Sequence, residues 1–475
     1  MAVFPGFCER TNRTLSFDWA IDRCVNWIPQ RAEVGTEKSQ MMLQRPPGLG
    51  SGFTLATSPV RCLWAGDDRL FFVAGAKYGE VGGSTFTVAS DSNNATIDAL
   101  TAGSANMLLI YSAGKAYYDI GAGAVEIGNA ASATVMDGYG ILLVRNAVSG
   151  ADEIFVSDYF DFTSWDPLKF QQAVATPDRA MRIMNFDGRL WIWKKRSMEA
   201  WYNSGNADFP FQLDKSSVVN WGTEYPDTIC VCDWSLFFLG NDDHGGGEVF
   251  RTRGFSRERV SDYGIASAIL DVGGQPVAFS YSEDGHTFYV LNFIGASGDV
   301  PALVYDVTED RWHERGSWNG TGFSPYLGRC HVVPTKGYAT YGGLHLVGSH
   351  SSGKVLVQGY SHNTYDGTAI RQNRRVGFPA AENKLQYHHR IEFEVETGDY
   401  SVTPTALLKW SENGGRSFGT EHTLTLGASG DYTKRAYKQR LGKTRGRRVY
   451  DLTLPATTAP VGITGAAIEV TEGTS

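Results

Sequence analysis

The residues with the widest chemical reach in this chain of 475 residues sit in Gly-rich or strand-like surroundings, and that setting limits what they can do. His244 lies in Asn241-Asp-Asp-His-Gly-Gly-Gly247, which offers oxygen and nitrogen ligands beside glycines. A phosphate loop would need a helix after it, aiming N–H groups at the anion, and no helical pattern follows. The string reads as a hairpin turn, with a calcium site as its alternative. His362 and the pair His388-His389 have no second ligand at metal-binding spacing, and neighbours on a strand point to opposite faces. They read as surface histidines. Neither G-x-S-x-G nor H-E-x-x-H occurs. Glycoside hydrolysis would need two carboxylates roughly 5–10 Å apart, and spacing along the chain pairs none of the many Asp and Glu residues. No catalytic residue, cofactor site or metal site is assigned.

Ser411-Glu-Asn-Gly-Gly-Arg-Ser-Phe418 is similar to the sialidase-type Asp-box, S-x-D-x-G-x-T-W, with Asn413 for Asp and Phe418 for Trp. Its physics is that of a turn. The polar side chain caps backbone N–H groups, glycine takes a positive φ, and the ring packs beneath. The six cysteines, Cys8, Cys24, Cys62, Cys230, Cys232 and Cys330, include no zinc or thioredoxin spacing. They read as free, mostly buried thiols made in a reducing cytoplasm. Three Asn-x-Thr strings, at Asn12, Asn94 and Asn319, carry no weight without a secretion route.

These side chains must be carried by strands. Gly is abundant at 55 residues, aromatics reach 12% and charged residues stop at 20%, a profile of short strands, tight turns and aromatic packing. No convincing helical periodicity and no apolar run long enough for a membrane helix occurs. The opening residues lack the basic and apolar regions of a secretory signal. The expected class is all-β.

A strand–turn–strand unit recurs at 69–87, 106–128, 140–158, 189–202, 235–252, 286–305 and 343–360. The repeat spacing, roughly 34–57 residues, brackets that of a four-stranded propeller blade. One hairpin cannot hide its apolar face, whereas radial stacking buries both faces and shortens the exposed edges. The expectation is a β-propeller of six or seven blades, with a β-sandwich array as the alternative. From about Asn383 the strands lengthen. Ile391, Phe393 and Val395 alternate with Glu392, Glu394 and Glu396, which predicts a half-buried strand with an acidic outer face. The division expected is 1–60 as an N-terminal segment and start of the propeller, 61–380 as blades, and 381–475 as a β-sandwich-like or ring-closing module. The tail from Thr457 is expected to fray or to bind a partner.

The net charge of −8 argues against a dedicated nucleic-acid binder, with the acid-free basic run 434–448 as the local exception. That run reads as a solvated or interface-facing strand pair, with phosphate contact as the alternative.

Several uncommon strings stand in colinear order. They begin with Arg23-Cys-Val-Asn-Trp-Ile-Pro29 and Arg45-Pro-Pro-Gly-Leu49, followed by Phe160-Asp-Phe-Thr-Ser-Trp-Asp166. Gly188-Arg-Leu-Trp-Ile-Trp193, Glu199-Ala-Trp-Tyr-Asn-Ser-Gly205, Arg311-Trp-His-Glu-Arg315 and Leu408-Lys-Trp-Ser-Glu-Asn-Gly-Gly415 come next. In that order they resemble the packaged-DNA stabilisation family of podovirus tail proteins, the hub or nozzle of a short-tailed phage. The likeness runs over nearly the whole chain. It is weak between about 90 and 146, and Trp27-Ile28 and Arg45-Pro46 depart from the family's pattern.

The resemblance implies a non-enzymatic virion tail protein made in the host cytoplasm. It would form a homohexameric ring below the portal and its adaptor, and would receive a tail needle or tip and possibly fibre or spike proteins. Duplex DNA would pass through the ring without sequence-specific binding. Two other classes stay open: a sialidase-like propeller hydrolase and a glycan-binding receptor protein. Candidate subunit contacts are the basic Arg440, Lys443, Arg445, Arg447 and Arg448, expected to meet the acidic Glu392, Glu394 and Glu396 of a neighbour. On that expectation, charge reversal at Arg447 and Arg448 weakens the ring.

Overall fold

The computed structural model describes residues 2–13, 21–31, 41–100, 106–173, 175–241, 247–270, 272–379, 384–396, 403–457 and 461–473. Among these, seven four-stranded blades run in chain order around one axis; five are separate sheets, and the sixth and seventh are hydrogen-bonded onward into sandwich strands. Six are built from consecutive strands, at residues 60–87, 96–129, 132–172, 180–213, 230–259 and 275–315. The seventh takes Gly328–Val332, His345–Ser349 and Lys354–Gly359 and completes itself with Gly48–Thr54 from the start of the chain. Chain closure therefore joins residues some three hundred positions apart.

Local sequence explains the blades. Apolar strands such as Tyr139–Arg145 and Arg189–Lys194 are turned by Asp-Gly pairs. Asp137-Gly138 has φ of 49° and 84°, and Asp284-Gly285 has 53° and 80°. Both residues of such a turn need positive φ to match the strands' right-handed twist, and Asp and Gly tolerate it best. Each of the seven clefts between neighbouring blades holds its own apolar cluster. Phe71, Ile97 and Leu108 fill the first, and Leu346, Val355 and Phe72 fill the last, between blade seven and blade one. Burying one such side chain is worth about 1.5–3 kcal/mol. The ring is closed.

The second unit is a β-sandwich. One sheet holds Ile28–Arg31, Met41–Gln44, Ile463–Glu472, Gln386–Val395 and Ala436–Thr444 in that order, with Ala2–Val3 paired to Ile463–Glu472. Ile21–Val25, Thr368–Phe378, Arg448–Thr457, Thr405–Ser411 and His422–Thr425 form the other face. Phe4, Phe7, Trp27 and Leu43 share one core with Ile391, Phe393, Leu408 and Ile463. The segment 1–60 is thus divided. Its described residues up to Gln44 build the sandwich, and Gly48–Thr54 closes the propeller.

The fraying expected after Thr457 is corrected. Ile463–Glu472 is an interior strand, paired along Gln386–Val395, and it buries Ile463, Ala466 and Ile468. Small residues flank these apolar ones, and that dilution concealed the strand from a pattern reading.

Sandwich and propeller meet at the outer strands of blades six and seven. Asn26 donates through its Nδ2 to the carbonyls of Gly316 and Arg371, at 2.8 and 2.7 Å, and accepts from the Gly316 N–H and the Tyr365 hydroxyl.

Two buried histidines, His313 and His388, and the half-buried His331 make this fold acid-sensitive. Burial pushes His313, His331 and His388 down to about 3. In the unfolded chain they would titrate near 6.5. Between those values the unfolded state binds more protons, so stability is complete above pH ~6.5 and falls as pH drops towards 3. Each group contributes a slope of up to ~1.4 kcal/mol per pH unit. His286 works in the opposite sense, raised by its hydrogen bond to Asp306, so its contribution is lost as pH rises through its folded value. Urea midpoints measured from pH 7 to pH 4 should fall steeply, and His388→Gln should flatten the slope.

Candidate functional site

Propeller ligands are commonly held where the inner strands converge, so the axis is the first place to look for chemistry. Arg61, Arg182 and Arg329 approach it from the inner strands of blades one, four and seven, with Asp91 and Asp227 beside them. This is the arginine and carboxylate cluster that the hydrolase alternative requires. Its hydrogen bonds, however, are taken up by the chain itself.

The connection between blades one and two, residues 88–95, crosses the axis and is gripped from several blades. Arg61 is fully buried, and it donates Nε to the Asn93 carbonyl at 2.8 Å and Nη2 to Asp91 at 2.7 Å. Its Nη1 reaches Ser112 Oγ at 2.8 Å and the Ala89 and Gly75 carbonyls at 3.2 Å. From blade seven, Arg329 donates to Asn94 Oδ1 and to the Ser92 carbonyl. Asp227 accepts from the Asn94 N–H at 3.0 Å, and Gln275 of blade six donates to Asn93 Oδ1 at 2.9 Å. Arg182 is held on the Pro226 and Ile229 carbonyls.

Burial raises the Asp227 carboxyl above the usual carboxylate range, while the Asn94 N–H and the Arg182 charge work against that rise. Both carboxylates are fastened to the crossing segment, Asp91 by Arg61 and Asp227 by the Asn94 N–H, and both also line an axial cavity of about 590 Å³. The arrangement bridges the axis with the chain's own residues. Arg61→Met should cost about 3 kcal/mol, because five acceptors lose one buried donor. The urea midpoint would report it, together with faster proteolysis within 88–95.

Elsewhere the structure separates the candidate residues. Ser411 Oγ accepts from the Asn413 and Gly415 N–H groups, and Asn413 Oδ1 accepts from Ser417, in a turn that belongs to the sandwich and not to a blade. Phe418 lies under the Arg375 guanidinium at 4.7 Å. His244 and its neighbours lie outside the described residues. His388 is buried against Tyr450, which corrects its surface reading; the apolar ring sits beside a hydroxyl that meets Nδ1 at 2.9 Å. His389 stays exposed, and the His362 carbonyl accepts from Arg45.

The cysteines are free, and burial lifts Cys8, Cys24, Cys62 and Cys230 to about 12, which suppresses thiolate chemistry. Among the described residues, no three His, Cys, Asp or Glu side chains are grouped to hold a metal.

The charged strands expected to meet across subunits lie side by side in one chain, since Gln386–Val395 pairs with Ala436–Thr444. Glu392 does not face solvent. It is buried between Arg390, at 2.6 Å, and Arg435, at 2.8 Å. Arg448 is fully buried on Glu412 and the Leu441 carbonyl, and Arg447 lies near Asp22 at 3.8 Å. Internal pairing withdraws Glu392 and Arg448 as interface candidates, and reversing Arg448 would damage the fold first. Glu394 is half-buried, whereas Glu396, Arg440, Lys443 and Arg445 are exposed.

The axial arginines were missed. Their signal was a charge inside an apolar inner strand, as Val60-Arg-Cys62 and again as Gly328-Arg-Cys330.

Comparison with known proteins places these features. A family model described as Bacteriophage P22 Gp10, beta-propeller, matches residues 10–337, and one described as Bacteriophage P22 Gp10, beta-sandwich, matches residues 375–471. No curated protein matches. Solved structures with some likeness include the computationally designed Ika8 protein, at 11% identity and TM-score 0.36, over 71% of this chain and 100% of that one. The extracellular domain of the one-component system BT4673 from B. thetaiotaomicron has 9% identity and TM-score 0.40, over 86% and 57%. An exo-β-1,3-galactanase from Phanerochaete chrysosporium has 9% identity and TM-score 0.26, over 78% and 97%.

Proposed function

This chain belongs to the bacteriophage P22 Gp10 family of packaged-DNA stabilisation proteins, and from that premise we propose that it is the structural hub of a short phage tail. Six copies form a ring below the portal and its adaptor, continue the DNA channel, and receive a needle or tip that plugs it. The action is mechanical. Assembly after packaging closes the exit, and loss of the plug at the host lets DNA pass.

The observation that carries this reading is the match of both family models, one to the propeller and one to the sandwich. The bridged axis supports a scaffold role, because a propeller whose centre is crossed by its own residues 88–95 leaves the DNA path to the space between subunits. An overall charge of −8 suits a lumen that does not grip phosphates.

Phage particles assembled without this chain should lose packaged DNA on dilution into low salt, and added purified protein should restore retention. Particles that hold their DNA equally well without it would contradict the proposal. Fluorogenic glycosides should not be turned over, since the axial carboxylates are held by Arg61, Asn93 and Asn94.

A further inference from the structure

The strand Ala436–Thr444 ends its sheet, and among the described residues it is paired on one side only, to Gln386–Val395. An open edge offers unpaired backbone groups to another surface. This edge and its following turn expose Arg440, Lys443 and Arg445, with Tyr437 49% exposed beside them. The stretch 434–448 holds eight Lys and Arg and no acid, so the rest of the chain carries −16 against a whole of −8. The best complement to this edge is therefore the chain's own surface.

One face of the propeller supplies that complement. The first turn of every blade emerges on the same side, because the inner strands all run the same way around a propeller axis. Exposed aspartates occupy these turns in five blades, as Asp67-Asp68, Asp137, Asp187, Asp233 and Asp284. Arg69 and Arg189, which follow two of these turns, are paired with Glu80 and Asp214.

In blade five the second turn residue is Trp234, which holds φ at 53° and is 93% exposed. A bulky side chain is costly at positive φ, and none of the described residues covers the ring. Tyr159, 63% exposed, and Phe160 lie in the third turn of blade three, on the same side, where Phe160 donates its N–H to Gly138. A surface combining carboxylates with bare aromatic rings fits arginine and lysine, which bond the first and stack on the second.

We propose that the basic sandwich edge of one copy docks on the aspartate-turn face of the next copy's propeller, with Trp234 at the contact. This rests on the ring reading above. Edge and face are different patches of one molecule, so the contact is head-to-tail and can propagate into a closed ring.

Sedimentation of the full chain over a range of concentrations and salt tests it. The variant Arg440→Glu/Lys443→Glu/Arg445→Glu should keep the wild-type melting temperature and self-associate on the order of 100-fold more weakly. Neutralising Asp187→Asn, Asp233→Asn and Asp284→Asn keeps turn-compatible residues and should weaken association in the same direction. Trp234→Gly should melt at the same or a higher temperature, since the strain is relieved, yet associate at least ~10-fold more weakly. A side chain serving only the fold would move both readouts down together. Variants that assemble as wild type does would overturn the docking and leave the ring reading standing. Wild-type chain that stays monomeric at every concentration would overturn both. Intact rings with loss of DNA retention in the basic-edge variant would assign that edge to phosphate and overturn the docking.

Discussion

A chain lacking residues 1–54 is expected to show no cooperative unfolding transition. The deletion removes Gly48–Thr54, the fourth strand of blade seven, and with it the buried Leu49. It also removes Phe4, Phe7, Trp27 and Leu43 from the sandwich core. Truncating one large core side chain costs about 2–5 kcal/mol, so the four together exceed the ~5–15 kcal/mol that holds a typical domain folded. The remaining chain faces a further loss. Arg374 is fully buried, and its guanidinium donates to the Phe7, Arg23 and Gly6 carbonyls. Without them it becomes a buried cation with unmet donors.

A circular permutant supplies the control. Ala2 lies opposite Ile468, and five residues from there to Gly473 span about 17 Å, so a linker of roughly eight residues can join the ends. A permutant opened at residue 55 keeps every strand pairing and should melt close to the parent. Cooperative unfolding of the truncated chain, within ~2 kcal/mol of full length, would show that closure does not depend on the start of the chain.

Replacing Arg315 by alanine should cost about 3–5 kcal/mol, the second-largest effect of the account. Arg315 is fully buried where blade six meets blade seven. Its guanidinium lies 4.3 Å from the Tyr326 ring centroid, with Tyr281 and Tyr365 completing the cage. Nη1 donates to the Tyr281 hydroxyl at 2.8 Å, Nε to the Tyr365 hydroxyl at 3.2 Å, and Nη2 to the Pro47 carbonyl. Pro47 immediately precedes the closing strand, so this one side chain ties ring closure to the blade six outer strand. Arg315→Lys should recover only part of the loss, because an ammonium cannot reach three acceptors set in a planar fork. Urea unfolding decides the matter, and an alanine variant within ~1 kcal/mol of wild type would contradict the cage.

The blades were legible because their information is local. An apolar strand, a tight turn and a second apolar strand occupy about twenty residues, and each of the seven units at 69–87 through 343–360 coincides with one four-stranded blade. The partnership of Gly48–Thr54 with Lys354–Gly359 leaves no such mark, because strand pairing across three hundred residues depends on the finished ring. Glu392 followed the alternation that usually signals solvent, yet Arg390 and Arg435 neutralise it inside the sheet. A charge pair formed across strands overrides a period-two pattern. At the axis, Arg61 and Arg329 were visible only as isolated charges in apolar strands, and their shared target, residues 88–95, fell where the family resemblance was weakest.

Electron microscopy of intact phage particles puts the central claim to its most direct test. The account predicts six copies in a ring below the portal, each propeller crossed at its own axis by residues 88–95, with DNA running between subunits. A tail without this chain, or a lone copy with an open propeller axis holding a sugar between Asp91 and Asp227, would contradict it.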